Sequence, residues 1–285
     1  MYDVIIIGAG PAGISAALYV KRANKSALVL YSGESQLEKA HKIDNYYGFP
    51  DGISGKQLFE DGIAQAETLG VEVKNEEALH IAINADMCYD ITTAKGGYSA
   101  KTVILATGNK RLKPNIKGVD AFEGRGVSYC AICDGFFYRK KAVAVIGAGD
   151  YALSEAGDLE NIVSELTVLT NGKPAPDGCK HKVIETKIKE INGDERVSSV
   201  EFEDGTSLEV SGVFIAEGVA GGADFAKKIG IQTEGDSIKT DSHMATNVPG
   251  VFACGNVNGG LLQVCKAVYE GAEAGLSAVN YLKEK

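Results

Sequence analysis

Val4-Ile5-Ile6-Ile7-Gly8-Ala9-Gly10-Pro11-Ala12-Gly13 is the stretch on which the fold turns. Four β-branched apolar residues in a row predict a short buried strand. The glycines that follow fit G-x-G-x-x-G. Gly8 permits a tight turn, Gly10 lets the backbone approach a pyrophosphate, and Gly13 lets the next helix pack closely on the strand. A helical pattern runs from about Ile14 to Arg22, and a second apolar run occupies Ala27–Tyr31. Strand, glycine turn, helix and strand in that order begin a doubly wound sheet, and the N–H groups at the helix start face whatever phosphate lies in the turn. Placed directly after an N-terminal strand, the motif points to a dinucleotide site. No acid ends the second strand. Tyr31-Ser32-Gly33 stands there with Glu34 beyond, which leaves Ser32 or the backbone to meet a ribose.

The same grammar recurs later. Ala142–Ile146 reads as a strand, Gly147-Ala148-Gly149 as a turn, Tyr151–Leu159 as a helix and Leu166–Leu169 as a strand. Two such units predict an α/β protein with two nucleotide-binding, Rossmann-like domains, each built on a mainly parallel sheet. The chain order suggests that the second domain is inserted into the first. Thr102–Gly108 closes the first block, a meander surrounds Val197–Phe214, and the tail holds a buried strand into a glycine turn at Gly250–Asn256. An amphipathic helix then runs from roughly Gln263 to Leu282. The expected division is residues 1–111 for the first part of the outer domain, 112–240 for the insert, and 241–285 for the return. A chain of 285 residues suffices for two cores.

Composition narrows the function classes. Hydrophobic residues at 45% and charged residues at 24% suit a soluble globular protein. A net charge of −9 argues against nucleic acid or an anionic membrane surface as the main partner. No apolar run approaches the ~20 residues of a membrane span. The N-terminus has no basic n-region, so no signal peptide is expected and the cytoplasm is the expected compartment. There, six cysteines should be mostly reduced, and a disulfide is catalytic before it is structural.

Cys130-Ala131-Ile132-Cys133 is the chemical centre. Thiols at this spacing close a small ring reversibly, with one thiolate attacking and the other resolving. Zinc needs two further ligands; only four histidines exist and no second C-x-x-C is present. The plain alternative is a pair of core cysteines. Asp134 follows directly and either shuttles a proton to a thiolate or serves as a turn or helix-cap aspartate. Cys88, Cys179, Cys254 and Cys265 are scattered singly and read as packing residues. The histidines form no triad with a serine in a recognisable elbow.

At this point the whole chain resembles the low-molecular-weight thioredoxin reductases. The likeness is carried by GAGPAG at Gly8–Gly13, IDNYYGFP at Ile43–Pro50, LATG at Leu105–Gly108, GRGVSYCAICDGFF at Gly124–Phe137, VIGAGD at Val145–Asp150 and FACGN at Phe252–Asn256. The resemblance implies FAD in the interrupted outer domain, the redox pair on the insert, thioredoxin as partner, and a homodimer. It implies that Cys133 lies nearer the flavin, that Cys130 exchanges with thioredoxin, and that Asp134 is the acid. For FAD it implies Gly8, Gly10, Pro11, Ala12 and Gly13 at the pyrophosphate, and Tyr31, Ser32 and Gly33 by the adenosine, with the Ala78 backbone near the adenine. Leu37, Ile43 and Asn45 approach the flavin side, Ala106, Thr107 and Gly108 cross beneath the cofactor, and Gly255 and Asn256 lie by the ribityl chain. Leu262, Gln263 and Val264 open the last helix, whose dipole stabilises negative charge on a reduced flavin. Asn256 departs from the family's usual Asp, but still hydrogen-bonds a hydroxyl.

Larger departures fall in the insert. NADPH-using members carry a His-Arg-Arg run after its second strand, whose guanidinium forks hold the 2′-phosphate. Here Leu169-Thr170-Asn171-Gly172-Lys173-Pro174-Ala175-Pro176 offers Lys173 alone, and no acid replaces the arginines to serve NADH. The family's Pro-Asn-Thr segment is replaced by Gly218-Val219-Ala220-Gly221-Gly222-Ala223-Asp224-Phe225. Gly147-Ala148-Gly149 needs only helix–strand packing to account for it. This pattern, with Leu37-Glu38-Lys39-Ala40, is similar to the ferredoxin-dependent flavin thioredoxin reductases. From Lys101 to Lys141 stand nine Lys or Arg and three Asp or Glu, a local +6 that would steer an acidic ferredoxin if the charges share a surface. Two other readings stay open: an NAD(P)H-dependent disulfide reductase with an unusual nucleotide site, and a flavin-binding regulatory protein without turnover.

Overall fold

The computed structural model describes the whole chain except residues 34, 109–113, 218–220, 236 and 285, and the side chain of 223. It divides into two compact units, Met1–Lys110 with Gly221–Lys285, and Arg111–Ala220. The first boundary falls among undescribed residues.

The first unit begins with β1 (Tyr2–Ile7), α1 (Pro11–Arg22) and β2 (Ala27–Tyr31). Pro11 at the first helical position has the φ a helix needs, and Lys21 and Arg22 complement the dipole at its end. α2 (Gly55–Thr68) starts on Ser54, whose hydroxyl accepts the Gln57 N–H. β3 (Glu72–Asn75), β4 (Ala78–Ile83), β5 (Tyr89–Thr93) and β6 (Gly96–Leu105) follow. The sheet runs β3-β2-β1-β6-β5-β4; it is parallel from β3 to β6 and antiparallel beyond.

The second unit holds α3 (Val119–Phe122), β7 (Val127–Ser128), α4 (Ala131–Asp134), β8 (Ala142–Ile146), α5 (Asp150–Leu159) and β9 (Glu165–Leu169). After β10 (Lys182–Ile184), the strands β11 (Ile188–Gly193), β12 (Val197–Phe202) and β13 (Ser207–Glu209) form an antiparallel meander. The meander starts and ends earlier than the expected Val197–Phe214. β14 (Gly212–Ile215), buried along its length, leaves it and enters the parallel sheet β10-β9-β8-β14-β7.

The chain then returns to the first unit with α6 (Gly222–Lys228), β15 (Thr233–Glu234), β16 (Ser237–Ile238), β17 (Val251–Ala253) and α7 (Val264–Lys283). Residues 221–240, expected in the insert, pack here instead. α6 contacts β4 and β16, and a Cβ on Gly222 would lie 2.2 Å from Val257 Cγ2. β17 pairs in parallel with β6, alongside the part of β6 that also pairs with β1. α7 lies on α1 with backbone contact: a Cβ on Gly271 would sit 2.1 Å from the Ala12 carbonyl oxygen. Val4, Ile6, Val29, Ile104, Ala16 and Ala274 lie in the core between sheet and helices. Among the described residues no helix is long and apolar enough to cross a membrane.

Candidate active site

β7 ends at Ser128, in register with Phe214 of β14, and two residues later the chain reaches the redox pair. Cys130 and Cys133 form a disulfide with Cα atoms 5.3 Å apart. Cys130 is the N-cap of the short α4, and its sulfur accepts the Cys133 N–H at 3.3 Å. Cys130 is 1% exposed, whereas Cys133 is exposed, with Ile132, Phe136 and Phe137 as exposed apolar neighbours in sequence. Exchange brings the attacking and attacked sulfurs into contact, so a Cys130 that meets thioredoxin must first be uncovered.

Three side chains brace this pair, and sequence reading named only Asp134. The buried Ser128 hydroxyl donates to Asp134 Oδ2 at 2.6 Å and accepts the Cys130 N–H at 3.1 Å. Glu155, 1% exposed on α5, accepts the Ala131 N–H at 2.7 Å and so occupies the first turn of α4. Burial pushes the Tyr138 phenol up, and the charge of Asp134 adds to the effect. A glutamate on the inward face of an amphipathic helix was the available signal for Glu155. Ser128 had none, since its partners depend on where β7 ends.

In the first unit, Gly8 has φ +115°, and a Cβ there would lie 2.3 Å from the Ala106 carbonyl oxygen. A Cβ on Gly13 would lie 1.8 Å from the Gly8 oxygen. Gly8 and Gly13 therefore let strand, turn and helix meet. Gly10 differs, because a Cβ there meets nothing within 4 Å. It caps α1 without a side-chain hydrogen bond, ahead of Pro11, Ala12 and Gly13. The first-turn N–H groups of Ala12 and Gly13 thus lack acceptors within the helix.

The C-terminal segment comes to the same place. Gly255 has φ +82°, and a Cβ on it would lie 2.8 Å from Ala12 Cβ. Glu270 accepts the Gly255 N–H at 2.8 Å, and Lys266 donates to the carbonyls of Gly255 and Gly259 at 2.9 and 2.6 Å, which fixes the turn at Gly255–Asn258. Asn45 Nδ2 donates to Gln263 Oε1 at 2.9 Å, which joins the IDNYYGFP loop to the start of α7. The Thr107 hydroxyl is buried and has no hydrogen-bond partner among the described residues. An orphaned hydroxyl, an open glycine and an uncapped helix start on one sheet end fit a bound dinucleotide such as FAD.

The remaining expected contacts are spread along the same unit. Tyr31 stacks edge-on with Phe59 and pairs with Asn75, three residues before Ala78. Gly33 and Gly108 have positive φ and open surroundings, and Ser32 is half-buried. Leu37 packs against the core and Ile43 is buried against Ile53, so these two face inward. Leu262 and Asn256 are exposed and half-buried, and Val264 begins α7.

The second glycine turn is organised otherwise. A Cβ on Gly147 would lie 2.2 Å from the Ala216 carbonyl oxygen, and one on Gly149 would meet nothing within 4 Å. The loop after β9 is bonded to itself and its neighbours: Asn171 Oδ1 accepts the Ile188 N–H at 2.9 Å, and the Thr170 hydroxyl donates to the Lys173 carbonyl. Lys173 Nζ lies 2.8 Å from Glu217 Oε1. In the basic stretch Lys101–Lys141, two cations carry ion pairs. Lys101 pairs with Asp3 and Lys117 with Glu190, and residues 110, 111 and 113 lie outside the described residues. Arg139, Lys140 and Lys141 are exposed in succession.

Of the other cysteines, Cys254 is buried and its thiol is pushed up by burial, as a packing residue should be. Cys265 is exposed on α7, so packing does not account for it. Among the described residues no cluster of ligands could hold a metal ion.

Residues 2–271 match the pyridine nucleotide-disulphide oxidoreductase family. The chain is 36% identical to the thioredoxin reductase of Aquifex aeolicus, over all of this chain and 94% of that one. Among solved structures it is similar to the atypical thioredoxin reductase TRi from Desulfovibrio vulgaris Hildenborough, at 39% identity and TM-score 0.94, covering 100% and 99% of the two chains. It is also similar to a ferredoxin-flavin thioredoxin reductase from Clostridium acetobutylicum, at 34% identity and TM-score 0.75, with the same coverage. The chain belongs to the pyridine nucleotide-disulphide oxidoreductase family and is an FAD-dependent thioredoxin reductase.

Proposed function

We propose that this thioredoxin reductase takes its electrons from reduced ferredoxin and passes them through Cys130–Cys133 to thioredoxin. The observation that carries the donor is the loop after β9, which holds no arginine and whose first cation past the strand, Lys173, is engaged by Glu217. A 2′-phosphate without guanidinium forks loses charge-assisted contacts of roughly 1.5–3 kcal/mol each, or two or more orders of magnitude in affinity for two of them. The Clostridium acetobutylicum relative supports the donor by its name.

Gly8, Gly10, Pro11, Ala12 and Gly13 are assigned to the FAD pyrophosphate, with Tyr31, Ser32, Gly33 and Ala78 toward the adenosine. Thr107, Gly255, Asn256 and the start of α7 are assigned toward the flavin half. The first unit is then the FAD domain, and the second keeps a nucleotide fold while carrying the disulfide. When bound, FAD supplies the conversion of single electrons into the pair a disulfide needs. Two electrons and two protons break the S–S bond and leave two thiols, with Asp134 held by Ser128 to handle a proton. The Cys130 thiolate then attacks the thioredoxin disulfide, and the Cys133 thiolate resolves the mixed disulfide, which restores the intramolecular bond.

Arg139–Lys141 is the surface offered to an acidic ferredoxin. A homodimer fits the exposed Cys265, Tyr269 and Leu276 on one side of α7, with the exposed Leu262 just before it. The cytoplasm fits four unbonded cysteines beside one catalytic pair.

A second reading, NADPH or NADH as donor, draws on the open surroundings of Gly149. Anaerobic mixing separates the two. Reduced ferredoxin should bleach the flavin absorbance and support thioredoxin reduction, less well as salt rises. Efficient reduction by micromolar NADPH or NADH with no response to ferredoxin would reverse the assignment.

A further inference from the structure

We propose that the Lys173–Glu217 ion pair is a strap that closes the dinucleotide crevice of the second unit, with Glu217 as the residue that determines specificity against pyridine nucleotides. The proposal rests on the reading that ferredoxin is the donor. In the sheet, β8 has β9 on one side and β14 on the other, and all three run parallel. Their C-terminal ends therefore share one edge. Open sheets of this kind bind dinucleotides outside that edge, at the glycine turn following the central strand. That turn, Gly147–Gly149, follows β8.

Lys173 stands in the loop after β9, and Glu217 lies two residues beyond the end of β14. An ion pair of 2.8 Å between them joins the two flanks of β8 and so crosses its C-terminal end. Both ends are anchored. The Ala216 N–H extends the ladder to the Ile146 carbonyl at 2.8 Å, and the Ala216 carbonyl lies against Gly147. The Lys173 N–H donates to Thr170 at 3.2 Å, and the Thr170 hydroxyl donates back to Lys173. The Glu217 side chain is only 16% exposed, whereas that of Lys173 is 54% exposed.

A half-exposed pair of this kind is weak as a bond. Its effect on a nucleotide comes from charge. Glu217 neutralises Lys173, the cation closest in sequence to the end of β9, and it places a carboxylate beside the turn where a pyrophosphate would lie. The two partners should therefore respond differently to removal. Loss of Glu217 frees Lys173 for phosphate, whereas loss of Lys173 leaves an unpaired carboxylate facing it.

The test is calorimetric titration of the FAD-loaded enzyme with NADPH, NADH and ADP. Wild type should show no saturable binding at micromolar ligand. Glu217→Gln and Glu217→Ala should each bind NADPH and ADP about tenfold more tightly than wild type, the change expected from about 1.4 kcal/mol. Lys173→Met should bind no better than wild type. Equal affinity of wild type and both Glu217 variants would overturn the strap, as would a gain in Lys173→Met matching that in Glu217→Gln. Reduction of the wild-type flavin by micromolar NADPH would instead end the ferredoxin reading. Wild type unresponsive to NADPH, with no gain in the Glu217 variants, would end the strap alone.

Discussion

The turns Gly8–Gly13 and Gly147–Gly149 are built alike up to the helix they introduce. In each, the first glycine lies against the carbonyl that follows a neighbouring parallel strand, Ala106 in one and Ala216 in the other. In each, the glycine capping the helix is open around its Cβ position. Ala152 of the second unit takes the place that Gly13 has in the first, and the Gly147 Cβ position lies 2.8 Å from it. The difference lies at the neighbouring strand ends. Past β6 stands Thr107, with a hydroxyl left without a partner among the described residues. Past β14 stands Glu217, bonded to Lys173. A glycine turn thus records how strand and helix pack, and on the proposed reading the residues at adjacent strand ends decide whether a phosphate can lie on it.

The sharpest way to separate the two units is to remove the chemistry of one and keep the cofactor of the other. Cys130→Ser or Cys133→Ser should abolish thioredoxin reduction while the purified protein retains its flavin spectrum. Near-normal turnover in either variant would break the assignment.

Valine at the two open glycines should behave oppositely. Gly10→Val should lower FAD affinity by about a hundredfold or more, through loss of two charge-assisted phosphate contacts. Because a Cβ there meets no protein atom, the melting temperature of the apoprotein should barely move. Gly149→Val should leave both FAD binding and thioredoxin turnover intact. Equal effects at the two sites would erase the distinction.

Asp134→Asn should slow thioredoxin-coupled turnover by ~10²-fold if the carboxyl acts on a proton. An unchanged rate would return Asp134 to a role in the turn. Gly147→Ala has the smallest expected effect, a loss of roughly 1–3 kcal/mol in stability from overpacking, read by denaturant unfolding with FAD content unchanged. A silent Gly147→Ala would mean that the Ala216 contact yields at little cost.

Much of this molecule was legible in one dimension. β2 and β8 fall at the residues where the apolar runs place them, and both glycine turns lie where the spacing puts them. The redox pair was legible as well, because two thiols three residues apart already define their ring. These are features in which the interacting groups are neighbours in sequence, so composition and spacing carry the physics.

Tertiary structure decided the rest, because there the interacting groups are remote in sequence. Ser128 holds Asp134 only because β7 ends beside β14, and Glu155 reaches the Ala131 N–H only because α5 packs under α4. Residues 221–240 join the first unit because α6 finds β4, more than a hundred residues earlier in the chain. That Asp3 pairs with Lys101 and Glu190 with Lys117 could not be read from the basic count between Lys101 and Lys141. Lys173 was visible in the sequence as the one cation of Leu169–Pro176. That Glu217 neutralises it depends on β9 and β14 flanking β8, since strand order sets which side chains meet at a sheet's edge and local sequence does not.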